Sequence, residues 1–96
     1  MSKRQEFVEI DLQSINSSED LHRMLAVSLG FPDFYGRNWN AFWDAITGLV
    51  EMPRRIRLKG WFNLLRTLPN DAASMRECLE DMAKEFPDWA PDIEYS

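Results

Sequence analysis

The carboxylate best placed for chemistry is Asp44, which stands four residues after Asn40 and three before Thr47 in the aromatic-rich stretch FPDFYGRNWNAFWDAITG, residues 31 to 48. On a 3.6-residue period Asn40, Asp44 and Thr47 share one helix face, Trp39, Phe42 and Ile46 share another, and Trp43 lies at the border. A carboxylate displayed on a helix with so heavy an apolar anchor can form charge-assisted bonds to cations that a partner brings. Taken alone, the same residue also reads as an ordinary solvated helix acid.

The other residue types capable of chemistry are sparse. His22 is the sole histidine; it lies beside Arg23, off the apolar stripe of Leu21, Met24, Leu25 and Leu29, and reads as solvated. No second His or Cys stands at ligand spacing from it, so no metal site is expected. Cys78 is the sole cysteine and falls in the apolar rhythm of a later helix, which makes it a small core residue in a reducing compartment. As a catalytic thiol it would need a nearby histidine, and His22 belongs to a different helix. The chain has no paired carboxylates, HxxxH, GxGxxG, P-loop or nucleophile elbow. The expectation is a protein that is not an enzyme and carries no cofactor or metal.

The elements that must position Asp44 follow from hydrophobic periodicity. Val8, Ile10 and Leu12 alternate with Glu9 and Asp11, the pattern of a half-buried strand. Ser17, followed by Glu19 and Asp20, opens a helix that Gly30 ends. Pro32 extends the backbone at Phe31, Gly36 is a candidate for positive φ, and Asn38 is the candidate N-cap of a helix over residues 39 to 47 that Gly48 closes. After Pro53, Ile56 and Leu58 alternate with Arg55, Arg57 and Lys59 in a second strand. The cations of residues 54 to 59 suit either a nucleic-acid patch or, as the preferred reading, an outward strand face set against acids of the same molecule. A short helix over residues 61 to 68 stops before Pro69, and Asn70 or Asp71 caps the next helix, whose stripe is Met75, Cys78, Leu79, Met82 and Phe86. Residues 92 to 96 alternate again as a third strand. Strands separated by helices require crossover connections, so the fold class is α/β: a small three-stranded parallel sheet packed with helices in the order β-α-α-β-α-β. Trp39, Phe42, Ile46, Leu25, Leu79 and Phe86 are its expected core.

Ninety-six residues make a single domain over residues 1 to 96, and a hydrophobic fraction of 45% is that of a globular chain. No apolar run approaches the ~18 residues of a membrane span, and the first ten residues lack the apolar core of a signal peptide, so the expected location is cytoplasmic. The formal charge of −5 argues against direct nucleic-acid binding and for a cationic partner. Residues 52 to 68 hold five bases and no acid, whereas residues 69 to 96 hold eight acids and two bases.

Across residues 32 to 53 the pattern Pro-acidic-aromatic-Tyr-Gly-x-Asn-x-x-Ala-x-Trp-Asp-x-hydrophobic-Thr-Gly-x-Val-Glu-x-Pro resembles the signature of the barstar family, intracellular inhibitors of the ribonuclease barnase. The resemblance implies a barstar-like fold over nearly the whole chain. It implies an immunity or antidote protein that blocks the active site of a cytotoxic ribonuclease, with an acidic helix and adjoining loop standing in for phosphate. Asp44 then matches the aspartate that enters the nuclease site and Phe34 the loop aromatic that covers it, while Ala41, Trp43, Thr47 and Gly48 match neighbouring contacts. Asp81 matches a further acid on the later helix. With Tyr35, Asn38 and Asn40 these form the expected partner-binding set. The implied partner is a basic ribonuclease or related toxin, bound one to one by a chain that is monomeric when free. Three positions depart from the pattern: Asn40 replaces a second aspartate, Leu49 a tryptophan and Arg37 a glutamate. A partner outside the ribonucleases, either another toxin class or a regulatory protein, is the alternative.

Overall fold

A computed structural model describes residues 4 to 96. The elements run β1 (Phe7–Asp11), α1 (Ser18–Leu29), α2 (Trp39–Asp44) with a π-helical turn (Ala45–Leu49), β2 (Arg55–Lys59), α3 (Trp61–Thr67), α4 (Pro69–Glu85) and β3 (Asp92–Tyr95). The strands form one parallel sheet in the order β1-β2-β3. This is the expected α/β arrangement, with the last crossover carried by two successive helices.

Strand register sorts the side chains by face. Val8, Ile56 and Ile93 align across the sheet, as do Ile10, Leu58 and Tyr95, and these rows face the helices. The opposite face aligns Glu9, Arg57 and Glu94, and the Arg57 guanidinium reaches Glu9 at 3.1 Å and Glu94 at 3.0 Å. Arg55 and Arg57 also lie over the Phe7 ring, 5.3 and 5.4 Å from its centroid. Arg57 is therefore met by acids, and Arg55 and Arg57 by an aromatic, of the same chain, as cross-strand pairing favours.

Helix boundaries follow local chemistry. Ser17 caps α1, accepting from the Asp20 N–H, and Gly30 closes it in the left-handed conformation at φ 72°. In place of an Asn70 or Asp71 cap, α4 starts at Pro69, which needs no N–H partner in the first turn. The helix ends at Glu85, and Phe86 turns to φ −134° before Pro87 because the proline ring disfavours helical backbone at the residue ahead of it. Phe86 consequently leaves the stripe and is 41% exposed rather than core. Trp39, also expected inside, is only partly buried, because its indole N–H turns to the rim of α4 and donates to Asp71 at 2.9 Å.

The core proper lies between the sheet and the helices and contains Ile10, Leu12, Leu21, Leu25, Phe42, Ile46, Leu58, Leu64, Met75, Leu79 and Met82. Among the described residues no helix is long and apolar enough to cross a membrane. Phe42 is fully buried and packs edge-on against both Phe31 and Trp39. Phe42→Ala is expected to lower the unfolding free energy by about 3 to 5 kcal/mol, measured by chemical denaturation.

Candidate functional site

The segment leading into α2 is built from inside outward. Phe31 is buried, and the chain turns at residues 32 to 35, where the Tyr35 N–H donates to the Pro32 carbonyl at 3.0 Å. Phe34 rides the crest of this turn, 76% exposed, whereas Tyr35 folds inward. Its ring stacks at an angle on Phe31, and its hydroxyl makes a 2.7 Å hydrogen bond with Nδ1 of His22. Burial raises the Tyr35 phenol above its ordinary range, with a further contribution from Cys78.

His22 is thus corrected from solvated to buried, 2% exposed, with the Trp39 ring 4.4 Å from its own. The signal was present, since His22, Leu25 and Leu29 fall at i, i+3 and i+7 on one helix face. The imidazole's polarity outweighed that spacing in the sequence reading. Burial depresses its pKa, Asp71 opposes that shift, and Arg37 reinforces it.

Positive φ falls on Arg37, at 53°, and not on Gly36. Gly36 is needed for room instead: a Cβ there would lie 3.3 Å from both the Ala41 Cβ and the Asn38 side-chain nitrogen. Asn38 caps α2 as expected, accepting from the Ala41 N–H at 2.7 Å, while its side-chain amide donates to the Gly36 carbonyl. Arg37 leans away to Glu19, 3.1 Å distant.

The helix does not continue regularly to Thr47, and Gly48 does not cap it in the left-handed region. Thr47 Oγ1 donates to the Trp43 carbonyl at 2.6 Å, and the chain widens into a π-helical turn that closes when the Val50 N–H reaches the Ala45 carbonyl. A hydroxyl that occupies the carbonyl four residues back competes with the regular ladder. Single π turns of this kind are frequent at functional sites.

Asn40 and Asp44 emerge exposed on the outer face of α2, with Ala41, Trp43 and Thr47 partly buried beside them and Gly48 exposed beyond. Asp44 has no hydrogen-bond or ion-pair partner among the described residues. Across the helix pair, Trp39, Asn40, Trp43, Glu77, Cys78 and Asp81 line a groove of about 300 Å³ between α2 and α4. The fold therefore brings Asp81 to the same groove as Asn40 and Trp43. Tyr35, by contrast, is committed to His22 and offers a partner little beyond its ring edge.

The arrangement offers free carboxylate, amide and aromatic edge, held on a helix that is pinned from behind. The Cys78 thiol is pushed up by burial and by Asp81 and Glu77, and its Sγ approaches the Trp39 carbonyl, not His22. Among the described residues no three His, Cys, Asp or Glu side chains converge as a metal site. Sequence reading missed two supports: His22, which holds the loop, and Asp71, which fixes Trp39.

A family model described as "Barstar (barnase inhibitor)" matches residues 5–94. The chain is also similar to a protein of Bacillus subtilis (strain 168) named "Putative ribonuclease inhibitor YrdF", with 35% identity over 79 residues that cover 82% of this chain and 87% of that protein.

The buried histidine predicts a pH dependence of stability. Its folded pKa lies below the ordinary 6.5, so the unfolded chain takes up the proton first. Stability is full above pH 6.5 and falls as pH drops through 6.5 toward the depressed value. Urea unfolding at intervals from pH 7.5 down to 5 is expected to show that slope, and His22→Gln to flatten it.

Proposed function

The chain belongs to the barstar family, and on that premise we propose that it is an intracellular immunity protein that inhibits a cytotoxic ribonuclease by occupying its phosphate-binding site. The observation that carries this reading is Asp44: an exposed carboxylate without an intramolecular partner among the described residues, on a helix whose opposite side is locked by Phe42 and Ile46. A ribonuclease holds a phosphodiester with Arg, Lys and His groups, and a rigid carboxylate can satisfy those same donors through charge-assisted bonds. Inhibition of this kind asks for no nucleophile, metal or general base from the inhibitor.

The same reading assigns the remaining contacts. Phe34 at the loop crest lies flat on the enzyme rim, Trp43 and Ala41 pack beside Asp44, and Thr47 and Gly48 extend the footprint along the π turn. Asn38 and Tyr35 hold the loop and helix in register, and Asn40 with Asp81 across the groove completes the polar surface. The partner is a basic toxin bound one to one in the cytoplasm, and the net charge of −5 speeds that encounter. Asn40, Leu49 and Arg37 set the specificity. Two carboxylates are missing from the surface and one cation is added, though Glu19 partly answers Arg37. These changes shift preference from barnase toward a related nuclease with fewer cations facing α2.

Asp44→Ala separates binding from folding. An exposed residue without partners contributes little to stability, so the unfolding free energy is expected to change by no more than about 0.5 kcal/mol. Losing the carboxylate in a complex strands the partner's cations, at about 2 to 5 kcal/mol, a range to which the barnase–barstar complex itself contributed. Titration of barnase activity with wild type and variant is the test, and equal inhibition by both would remove the phosphate-mimic mechanism. Asn40→Asp is expected to tighten binding to barnase by adding a second anion to the same face, read as a lower inhibition constant in the same assay.

A further inference from the structure

Beyond Asp44 the surface changes character. The π turn and the end of α4 enclose a groove of about 520 Å³, with Gly48, Leu49, Met82, Phe86 and Trp89 among its walls and Glu51 at its edge. Leu49, Phe86 and Trp89 are 48%, 41% and 58% exposed, a concentration of large apolar groups on one small area. The groove is continuous with the helix face: Thr47 and Gly48 belong to both, and the Phe86 ring lies 6.5 Å from that of Trp43.

The walls are also held in place. The Arg4 guanidinium donates to the carbonyls of Met52 and Pro53 just past one wall and to those of Asp88 and Trp89 in the other, at 2.8 to 3.1 Å. The Trp89 N–H is tied back to the Phe86 carbonyl. An exposed aromatic on an immobilised backbone loses little entropy when a partner covers it.

We propose that the partner-binding surface extends from Asp44 into this groove, which receives an apolar side chain flanked by cations on the same basic ribonuclease. The inference rests on the inhibitor reading given above. Charge selects the occupant. Glu85 and Asp88 adjoin Phe86 and Trp89 in the chain, and the molecule carries −5 overall. A second copy would bring the same acids against themselves, whereas a basic enzyme complements them.

The test uses barnase as probe, with Phe86→Ser, Trp89→Ser and Trp89→Leu beside Asp44→Ala, and each variant's unfolding curve recorded. Phe86 and Trp89 are exposed, so the variants are expected to fold. Each serine variant is expected to weaken binding tenfold or more, with the same loss at 0.1 and 0.5 M salt, while Trp89→Leu retains most of the affinity. The loss from Asp44→Ala is expected to shrink with salt, because screening weakens only the charge contacts. Serine variants that bind like wild type while Asp44→Ala does not would overturn the groove and leave the inhibitor reading standing. A wild type that shows no binding to barnase even at the highest concentration and lowest salt, where a preference that is shifted but not abolished still gives binding, overturns that reading and the groove with it. A reversible dimer in sedimentation that the serine variants dissolve would make the occupant a second copy and overturn the proposal.

Discussion

The structure depends on Phe42 being driven into the core from a helix too short to exist alone. Six residues give α2 fewer than two turns, far below the length at which an isolated helix is stable in water. Burial of Phe42, its edge-on contacts with Phe31 and Trp39, and the Asn38 cap together supply what propensity cannot. The consequence is geometric: the helix cannot rotate without exposing Phe42, so Asp44 is fixed outward. In the inhibitor proposed above, such a carboxylate gains because its ordering is completed during folding and not at the moment of association.

The same economy operates on the loop. Tyr35 is spent on His22, and that bond allows Phe34, its neighbour, to stand in solvent on a defined backbone. Arg37 accepts a left-handed backbone that costs a non-glycine residue roughly 1 kcal/mol or more, next to the cap that starts the helix. Strain tolerated beside a candidate binding surface fits the wider tendency of functional segments to hold unfavourable backbone. The loop, the cap and the π turn thus frame α2 with irregular backbone on both sides.

The two faces of the sheet divide the labour. The inner rows of Val, Ile, Leu and Tyr bind the helices, and the outer rows place an acidic strand on each side of a basic one. Because those ion pairs are exposed, they contribute little to stability, but they answer the central cation of β2, Arg57, within the chain. Asp44, which has no such partner among the described residues, lies on the helical side.

The sequence by itself determined the strands, the helix count, the N-caps at Ser17 and Asn38, and the outward position of Asp44. Those features are written in periods of two and 3.6 residues and in side chains that bond their own backbone, both of which are local. The resemblance across residues 32 to 53 was legible for the same reason, being contiguous. What spacing could not decide was set by neighbours distant in the chain. His22 is buried because Tyr35 and Trp39 close over it, and Trp39 stays half out because Asp71, 32 residues away, takes its indole N–H. Phe86 leaves its stripe where Pro87 stops the helix, and the π turn opens where Thr47 takes a carbonyl from the ladder. The grooves on either side of Trp43 exist only once α4 is laid against α2, a juxtaposition of segments some forty residues apart that no local pattern encodes.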